Sequence, residues 1–425
     1  MAYALGIILF AFGILFAVCL HEAGHMGTAK AFGMKVTRYF VGFGPTLWSF
    51  RRGETEYGVK ALPFGGFVKI VGMTPQDDDV APEDEKRAMW RFPVWKRTIV
   101  MSAGSITHFI LAIITLWLVF VAVGVPDGSK IDQVPVKVGA TQQLVCDYAY
   151  DPATKAPRVC DAAKDPQSPS AQLGLRVGDV IVALNGTPVP NSPALREQLK
   201  SLAGQKVTVT YKRGDETLTG DATIPSVLRV KADIDPNKKA DQVTEADLER
   251  GGMLGISIDY YSELPLVRSG PIEGIGHTFS TIGTMVDRTF ESLKLIPQKI
   301  PKLFSAIAGE KRDPETPVSV VGASRIGGEL FQLGDWTNML TLFATLNLFF
   351  GIFNLFPLLP MDGGHIAIAW FERVRSWLAA KRGRPDPGRV DYVKLAPITV
   401  GVIGILGVFV LLTVTADIVN PITLR

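Results

Sequence analysis

Four long apolar runs constrain the fold of this chain more than any other feature of its sequence. Each approaches the roughly 20 residues that an α-helix needs to cross a lipid bilayer. The runs extend over Ala2 to Leu20, Thr98 to Val125, Met339 to Leu359 and Pro397 to Ala416. A hydrophobic content of 47% with only 20% charged residues is also apolar for a water-soluble chain of 425 residues. We therefore predict a polytopic α-helical membrane protein with four transmembrane helices.

The distribution of basic residues predicts the orientation of these helices in the cell membrane. Lys and Arg are concentrated between Lys30 and Arg97 and between Arg373 and Lys394, which marks both loops as cytoplasmic. Both termini and the segment from Pro126 to Asn338 are then expected outside the cytoplasm. The first run lacks the basic start and cleavage site of a signal peptide, so we expect it to remain as a span. A scattered net charge of +3 does not favour nucleic acid as a partner.

The predicted external segment carries two cysteines and a β-rich pattern. Cys146 and Cys160 lie where a disulfide can persist, and we expect them to form one. Leu173 to Ile181, followed by Leu184 to Gly186, resembles the signature of a bacterial PDZ domain, a small β-domain that accepts a peptide as an added strand. Short β-like runs are predicted at Val134 to Val138, Val180 to Leu184, Val207 to Tyr211 and Leu254 to Ile258. A helix is predicted between the second and third of these, at Ser192 to Leu202.

The stretch from His21 to His25 follows the first apolar run directly and has the H-E-x-x-H pattern. On an α-helix the two histidines lie about 40° apart, with Glu22 in the adjacent sector. Two neutral imidazoles in this arrangement can hold Zn2+, while the carboxylate takes a proton from an activated water. An exposed helix with paired charges is the alternative, but such groups beside an apolar run cost several kcal/mol to insert. We therefore predict His21 and His25 as metal ligands and Glu22 as the catalytic general base.

A third metal ligand must come from elsewhere, because catalytic zinc usually has three protein ligands and one open position. The best candidate is Asp362, which follows the third apolar run within the segment from Asn354 to Gly364. Prolines and glycines interrupt the helix here, and irregular backbone at membrane depth is tolerated where it is buried or lines a wet cavity. His365 is the alternative third ligand.

The two motifs together resemble those of the site-2 proteases, intramembrane zinc metalloproteases with HExxH in one span and NxxPxxPxDG in another. Gly42 to Pro45, Pro63 to Lys69 and Asn347 also match bacterial members that carry a PDZ domain. The similarity covers nearly the whole chain and is greatest to the actinobacterial members that act in regulated intramembrane proteolysis. It implies Asp362 as the third ligand and Asn354 as an amide that binds substrate or polarises the oxyanion. By the same resemblance, substrate binding is also expected of Asn347, Pro357 and Pro360.

Three features keep more than one interpretation. Asn354 could instead form a hydrogen bond between helices. The stretch from Val36 to Val71 is predicted to form a β-hairpin or curled sheet, which either pairs with an unwound substrate strand or acts as a structural plug. His108 lies in Ala103 to Phe109, where many family members have Gly-Pro followed by Asn. It could hydrogen-bond as that Asn would, tune the metal, or be a satisfied histidine within the helix.

The resemblance implies substrates that are single-span membrane proteins already cut outside the membrane, such as anti-sigma factors. The PDZ domain would filter them by size or bind their new ends. One alternative is a non-catalytic, PDZ-containing membrane adaptor or chaperone with a structural zinc site. Glu22 argues against it, because a structural site needs no base and usually has four protein donors. Another is an ordinary metalloprotease tethered by its first span, which fails if the metal requires Asp362.

The expected domains follow from these features. They are a first transmembrane helix with the HEAGH motif (1–31), a cytoplasmic β-loop and linker (32–97), a second transmembrane helix (98–125), an extracytoplasmic PDZ-like domain (126–262), an amphipathic membrane-surface segment (263–337), a third transmembrane region with the NLFPLLPMDGG motif (338–371), a cytoplasmic loop (372–396) and a fourth transmembrane helix (397–420). The active site is then expected toward the cytoplasmic side of the membrane.

Overall fold

A computed structural model describes residues 1–73, 80–151, 156–231, 234, 238, 242–260, 263–310, 312–313 and 315–424. They divide into two compact units. The first combines Met1–Gly124 with Arg268–Arg425, and the second is Val125–Val267. Residues 74–79 of the predicted linker lie outside the described residues.

The described part of the chain contains both helices and strands. The helices are α1 Ala2–Ala31, α2 Val94–Leu118, α3 Pro169–Gln172, α4 Ser192–Ser201, α5 Pro271–Ile307, α6 Val320–Leu333, α7 Trp336–Asn354, α8 Asp362–Lys381 and α9 Tyr392–Val419. The strands are β1 Val36–Arg52, β2 Thr55–Ile70, β3 Val125–Pro126, β4 Val136–Thr141, β5 Tyr150–Asp151, β6 Ala156–Pro157, β7 Val180–Leu184, β8 Thr187–Pro188, β9 Lys206–Arg213, β10 Glu216–Thr223, β11 Ser226–Val230, β12 Leu248–Gly252, β13 Ile256–Ile258 and β14 Leu266–Val267.

Four of the described helices are long and apolar enough to cross a membrane. They are Ala2–Ala31, Val94–Val123, Trp336–Asn354 and Tyr392–Val419, the second of which continues α2 through a π-helical turn. Each corresponds to one of the predicted apolar runs, as expected of a membrane protein. The third helix ends at Asn354, earlier than the apolar run, because Pro357 and Pro360 cannot donate backbone hydrogen bonds and restrict the residues before them.

In the first unit, α1 packs against α2 and α6, and α2 also packs against α7 and α8. Small residues allow the close approach of α1 and α2. A Cβ atom on Gly24 would lie 2.8 Å from the carbonyl oxygen of Ala103, so a larger side chain does not fit there. The consequence is that the α1 face carrying the HExxH motif lies directly against α2.

Strands β1 and β2 form an antiparallel β-hairpin that is also curled, in agreement with the hairpin or curled sheet predicted over Val36 to Val71. Arg38 pairs with both Lys69 and Glu56, so β2 contacts both edges of the first part of β1. Gly42 permits this curl, because its φ is 85° and a Cβ atom there would lie 2.5 Å from the carbonyl oxygen of Leu62. The last part of β2 therefore pairs with β1 along one edge and turns its other edge toward α1.

The segment 263–337, expected to be amphipathic, contains the two helices α5 and α6. Helix α5 begins at Pro271, where the fixed φ of proline suits a first helical position. The loop that follows α5 is fixed to the end of α9 by an ion pair between Arg312 and Asp417, which are 2.6 Å apart and almost fully buried. The backbone amide of Ser319 also donates to Asp417.

The second unit is β-rich. Its main sheet has the order β10-β9-β7-β4-β13, with β8 paired to β7. The strands and the helix α4 agree in position with the predicted elements to within a few residues. Apolar side chains from both element types form one core, which includes Val136, Ile181, Leu184, Leu195, Val207, Val209, Ile224 and Leu254. Cys146 and Cys160 are joined by a disulfide in this unit.

Candidate metal centre

Three side chains from distant parts of the first unit converge on one point. Nε2 of His25 lies 3.1 Å from Nε2 of His21, and Oδ2 of Asp362 lies 3.4 Å from each of these nitrogens. The histidines come from one face of α1, and the aspartate is the first residue of α8. All three side chains are largely buried.

The donor set and its spacing fit a zinc ion. Donors held at the usual 2.0 to 2.1 Å from a tetrahedral centre lie about 3.3 Å apart, close to the observed separations. Oδ2 of Asp362 is buried and has no hydrogen-bond partner among the described residues, which would be costly for a carboxylate without a bound cation. Two imidazoles and one carboxylate form a ligand set typical of catalytic zinc, which leaves a fourth position open.

Helix α2 supports the two histidines from behind. Nδ1 of His25 lies 2.7 Å from the carbonyl oxygen of Val100, so Nδ1 carries the proton and Nε2 offers its lone pair. Gly104 lies against both rings, since a Cβ atom there would be 2.5 Å from His21 Cε1 and from His25 Nε2. Only a residue without a side chain fits between α2 and the metal centre at this position.

The irregular segment before α8 places Asp362. Helix α7 ends at Asn354, and the chain turns back so that Gly363 and Gly364 pack on the turn that follows α7. A Cβ atom on Gly363 would lie 2.1 Å from the carbonyl oxygen of Leu355, and one on Gly364 would lie 2.6 Å from the backbone of Leu358. The two glycines therefore allow the loop to fold over the start of α8 and bring the carboxylate to the histidines.

Glu22 lies beside the three donors and contacts the hairpin. The backbone amide of Val68 in β2 is directed at its carboxylate. A Cβ atom on Gly66 would lie 3.5 Å from Glu22 Cγ, so the hairpin edge packs directly on this side chain. The phenol of Tyr39 donates a hydrogen bond of 2.8 Å to the carbonyl oxygen of Cys19 and attaches the hairpin to α1. Sequence patterns did not indicate the contact between Val68 and Glu22.

Of the other residues singled out in the sequence, some are close to this centre and some are not. Asn354 is the last residue of α7 and is partly exposed, and Pro357 and Pro360 follow in the exposed turn. Asn347 is only 1% exposed and lies further back in α7. His365, the alternative ligand, is not part of the donor cluster among the described residues and has Nδ1 3.4 Å from the hydroxyl of Tyr392.

His108 lies beside the metal centre, as one of the three interpretations of its sequence position proposed. It is 2% exposed on α2, and its ring centroid is 5.1 Å from that of His21. Its Nδ1 lies 2.9 Å from Oδ1 of Asn347. The pairing joins α2 to α7, and sequence patterns could not reveal it because the two residues are far apart along the chain.

Comparison with known proteins agrees with this geometry. Residues 9–385 match the model of peptidase family M50. The chain belongs to peptidase family M50. This M50 peptidase is 38% identical to zinc metalloprotease Rip1 of Mycolicibacterium smegmatis over 429 residues and to Rip1 of Mycobacterium tuberculosis over 425 residues, with each pair aligned over 100% of both chains. It is 27% identical to a putative zinc metalloprotease of Clostridium perfringens, covering 95% of this chain and 96% of the relative.

Family membership confirms two predictions made from the sequence. The resemblance to site-2 proteases is correct, because M50 is the family in which they are placed. The prediction of a metallopeptidase with zinc as its cofactor is confirmed as well. The relatives at 38% identity are zinc metalloproteases, and they align with this chain over their whole length. The chain therefore belongs to a family of zinc metallopeptidases and carries a donor set of the kind that zinc-dependent hydrolysis uses.

Proposed function

We propose that this zinc metalloprotease hydrolyses peptide bonds within the transmembrane segments of single-span membrane proteins. The observation that carries the proposal is the position of the donor cluster. His21 and His25 belong to α1, a helix apolar enough to span a membrane, and Asp362 follows α7, another such helix. A catalytic centre built from α1 and from the residue that begins α8, shortly after the end of α7, would act at membrane depth rather than in the surrounding water.

The residues at the centre have separate chemical roles. His21, His25 and Asp362 hold the metal, which when bound polarises the scissile carbonyl and makes water a stronger acid. Glu22 takes the proton of the attacking water and returns it to the leaving amine nitrogen. The amide of Val68 positions the Glu22 carboxylate for both transfers. We assign the stabilisation of the developing oxyanion to the side-chain amide of Asn354.

The hairpin is the proposed docking edge for substrate. The end of β2 pairs with β1 along one edge, and its other edge carries the amide that reaches Glu22. An unwound substrate segment could add to this edge as a strand, so that its backbone runs past the general base. The turn with Pro357 and Pro360 would then contact the substrate from the other side. A structural plug remains the alternative role of the hairpin, and it predicts that edge substitutions leave KM unchanged.

Unwinding of the substrate is required by the same chemistry. A peptide bond inside a helix has its carbonyl hydrogen-bonded and surrounded by side chains, so neither water nor an oxyanion donor can reach it. Residues that break helices, such as glycine and proline, should therefore favour cleavage when they lie in the substrate span.

The proposed topology follows from the positive-inside rule. The loops 32–97 and 372–396 lie in the cytoplasm, and both termini and residues 126–262 lie outside, with the metal centre toward the cytoplasmic side. In this arrangement the second unit, as a PDZ-like domain, meets the external part of a substrate. Its proposed role is to filter substrates by size or to bind newly cut ends in regulated intramembrane proteolysis, with anti-sigma factors as the substrate class.

The rival function, a non-catalytic adaptor with a structural zinc, differs in its dependence on Glu22. Glu22→Gln keeps the shape and hydrogen-bonding reach of the side chain but removes the base. In proteoliposomes we expect this variant to retain zinc and to cleave a tagged single-span substrate about 10²- to 10⁴-fold more slowly than wild type. Glu273→Gln, an exposed position on α5, is the matched control and should cleave normally. Undiminished cleavage by Glu22→Gln would reject the catalytic assignment.

A further inference from the structure

The two histidines of the metal centre are held in place by different means. His25 is oriented by the hydrogen bond from its Nδ1 to the Val100 carbonyl oxygen. Nδ1 of His21 contacts the backbone of Gly104, but this contact lacks the geometry of a normal hydrogen bond, and Nδ1 has no other partner among the described residues. Metal-ligating histidines usually donate their second ring nitrogen to an acceptor that fixes the ring. His21 must therefore be held chiefly by what packs against it.

Besides Asp362, three groups pack against the His21 ring among the described residues. His25 meets it edge to face at a centroid distance of 4.7 Å, and the backbone of Gly104 lies beneath it. The third group is His108, whose ring is tilted by 43° at a centroid distance of 5.1 Å. His108 follows Gly104 by one turn of α2 and projects from the same face of that helix. It is the only one of the three that is itself a large side chain from another helix.

His108 is in turn fixed by Asn347. Nδ2 of Asn347 donates a 2.9 Å hydrogen bond to the carbonyl oxygen of Phe343, which assigns the orientation of the amide. Oδ1 of Asn347 is then the atom 2.9 Å from Nδ1 of His108, so the imidazole is the donor. Both polar ends of the amide are used, and both residues are no more than 2% exposed.

We propose that His108, held by Asn347, is a positioning residue that fixes the ring of the metal ligand His21. This inference rests on the proposed function, because it assigns His21 as a ligand. It also changes the expected role of Asn347 from substrate binding to support of the metal centre. The pair links α7, the helix that leads to Asp362, with α2 and α1, so ligands from both ends of the chain share one scaffold.

The test uses full-length protein in detergent and measures the zinc dissociation constant by chelator competition. We expect His108→Ala to weaken zinc binding by about 10- to 100-fold, the usual effect of losing a supporting residue. Asn347→Leu should weaken it in the same direction but less. The double variant with His108→Ala and Asn347→Leu should bind zinc no more weakly than His108→Ala alone, because both changes remove the same interaction. His277→Ala, an exposed histidine on α5, is the control and should leave zinc binding unchanged.

A second comparison separates ring packing from other roles of His108. The pair His108→Phe with Asn347→Leu keeps a ring against His21 and removes both polar partners together. We expect this pair to bind zinc within about threefold of wild type and more tightly than Asn347→Leu alone. Because it preserves buried volume, it also carries the test if His108→Ala does not fold. With cobalt in place of zinc, the absorption spectrum of this double variant should likewise match that of the wild type, since the spectrum reports ligand geometry.

The results that overturn the proposal are specific. Zinc binding by His108→Ala within about twofold of wild type would show that His21 needs no such support. An increase in KM at unchanged zinc affinity would make His108 a substrate contact. If the variant with His108→Phe and Asn347→Leu bound zinc as weakly as His108→Ala, the imidazole would act through its nitrogens and not through ring packing. None of these depends on Glu22, so a failure of the hydrolytic function, seen as cleavage by Glu22→Gln, is distinguishable from a failure of this inference.

Discussion

Oδ2 of Asp362 lies 3.4 Å from Nε2 of His25. These residues belong to the first turn of α8 and to α1, which are separated by most of the chain and by the entire second unit. Their approach depends on the packing of α1 and α8 against the same helix, α2. The metal centre therefore exists only when the first unit is folded. Substitutions of its ligands, substitutions in α2 and assays of substrate cleavage test it separately.

Removal of Asp362 should release the metal. Asp362→Ala leaves two imidazoles, which bind zinc far more weakly than three ligands. We expect purified Asp362→Ala to contain little zinc after dialysis, measured by atomic emission. His365→Ala is the matched control, because His365 lies three residues away outside the donor cluster, and it should keep its zinc. The reverse result would make His365 the third ligand.

A methyl group at Gly104 should disturb both histidines. The Cβ atom of Gly104→Ala would lie 2.5 Å from His21 Cε1 and His25 Nε2, which is closer than any stable contact. We expect zinc affinity and cleavage to fall by at least about tenfold, as for other losses of ligand support. Gly27→Ala is the control on α1, where a Cβ atom meets nothing within 4 Å. Equal zinc affinity in the two variants would contradict the close packing of α2 on the metal centre.

How far the sequence predicts this site depends on the range of each interaction. The facing of His21 and His25 follows from helical periodicity alone, so a five-residue motif is sufficient. Asp362 could be proposed from its motif, because prolines and glycines mark a break in the helix. The pair of His108 and Asn347 could not, since it depends on how α2 and α7 pack.

The fold shows the same division between local and long-range signals. The four apolar helices follow from run length, and the end of α7 at Asn354 follows from the prolines beyond it. The sequence predicts a β-hairpin or a curled sheet here, but not where β2 curls around β1, because that depends on the close approach of Gly42 to Leu62 across the hairpin. The approach of Val68 to Glu22 depends on that curl, which explains why residue type gave no indication of it.

Loss of the disulfide should destabilise the second unit. The two cysteines of the bridge are 14 positions apart, and a loop of about this length corresponds to about 3 kcal/mol of unfolding free energy in the chain-entropy model. We expect replacement of Cys146 and Cys160 by Ser to increase hydrogen exchange in residues 125–267 by mass spectrometry, with metal content unchanged. Tryptophan fluorescence would not report this, because no Trp lies in that range. Cys19→Ser, in α1, is the control, and similar exchange in both variants would contradict the prediction.

The stability of the second unit should also depend on pH through Asp179. Burial alone would raise the pKa of Asp179, but hydrogen bonds from the Arg213 guanidinium and the Arg176 amide hold the pKa below its ordinary value. A carboxyl with a lowered pKa stabilises the fold above its unfolded pKa of about 3.9, and this stabilisation is lost as pH falls through the folded pKa.

Substitution of Asp179 tests this pH dependence. Asp179→Asn should lower the stability of the second unit at pH 7 by about 1 to 3 kcal/mol, because the change removes a charged hydrogen-bond acceptor from a buried position. It should also reduce the acid sensitivity of that unit, measured by hydrogen exchange between pH 3 and 7. Asp215→Asn, exposed in the turn between β9 and β10, is the control. If Asp179→Asn loses stability in acid as steeply as wild type, another group governs the acid response.

The central claim, hydrolysis inside a membrane by this metal centre, is tested most directly by locating the cut bond. A single-span substrate is incubated with wild type or Glu22→Gln in proteoliposomes, and the masses of its fragments are measured. The account predicts that wild type cuts within the apolar span of the substrate and that Glu22→Gln yields no such fragments at the same zinc content. Cuts confined to residues outside the span, or the same fragments from Glu22→Gln, would contradict it.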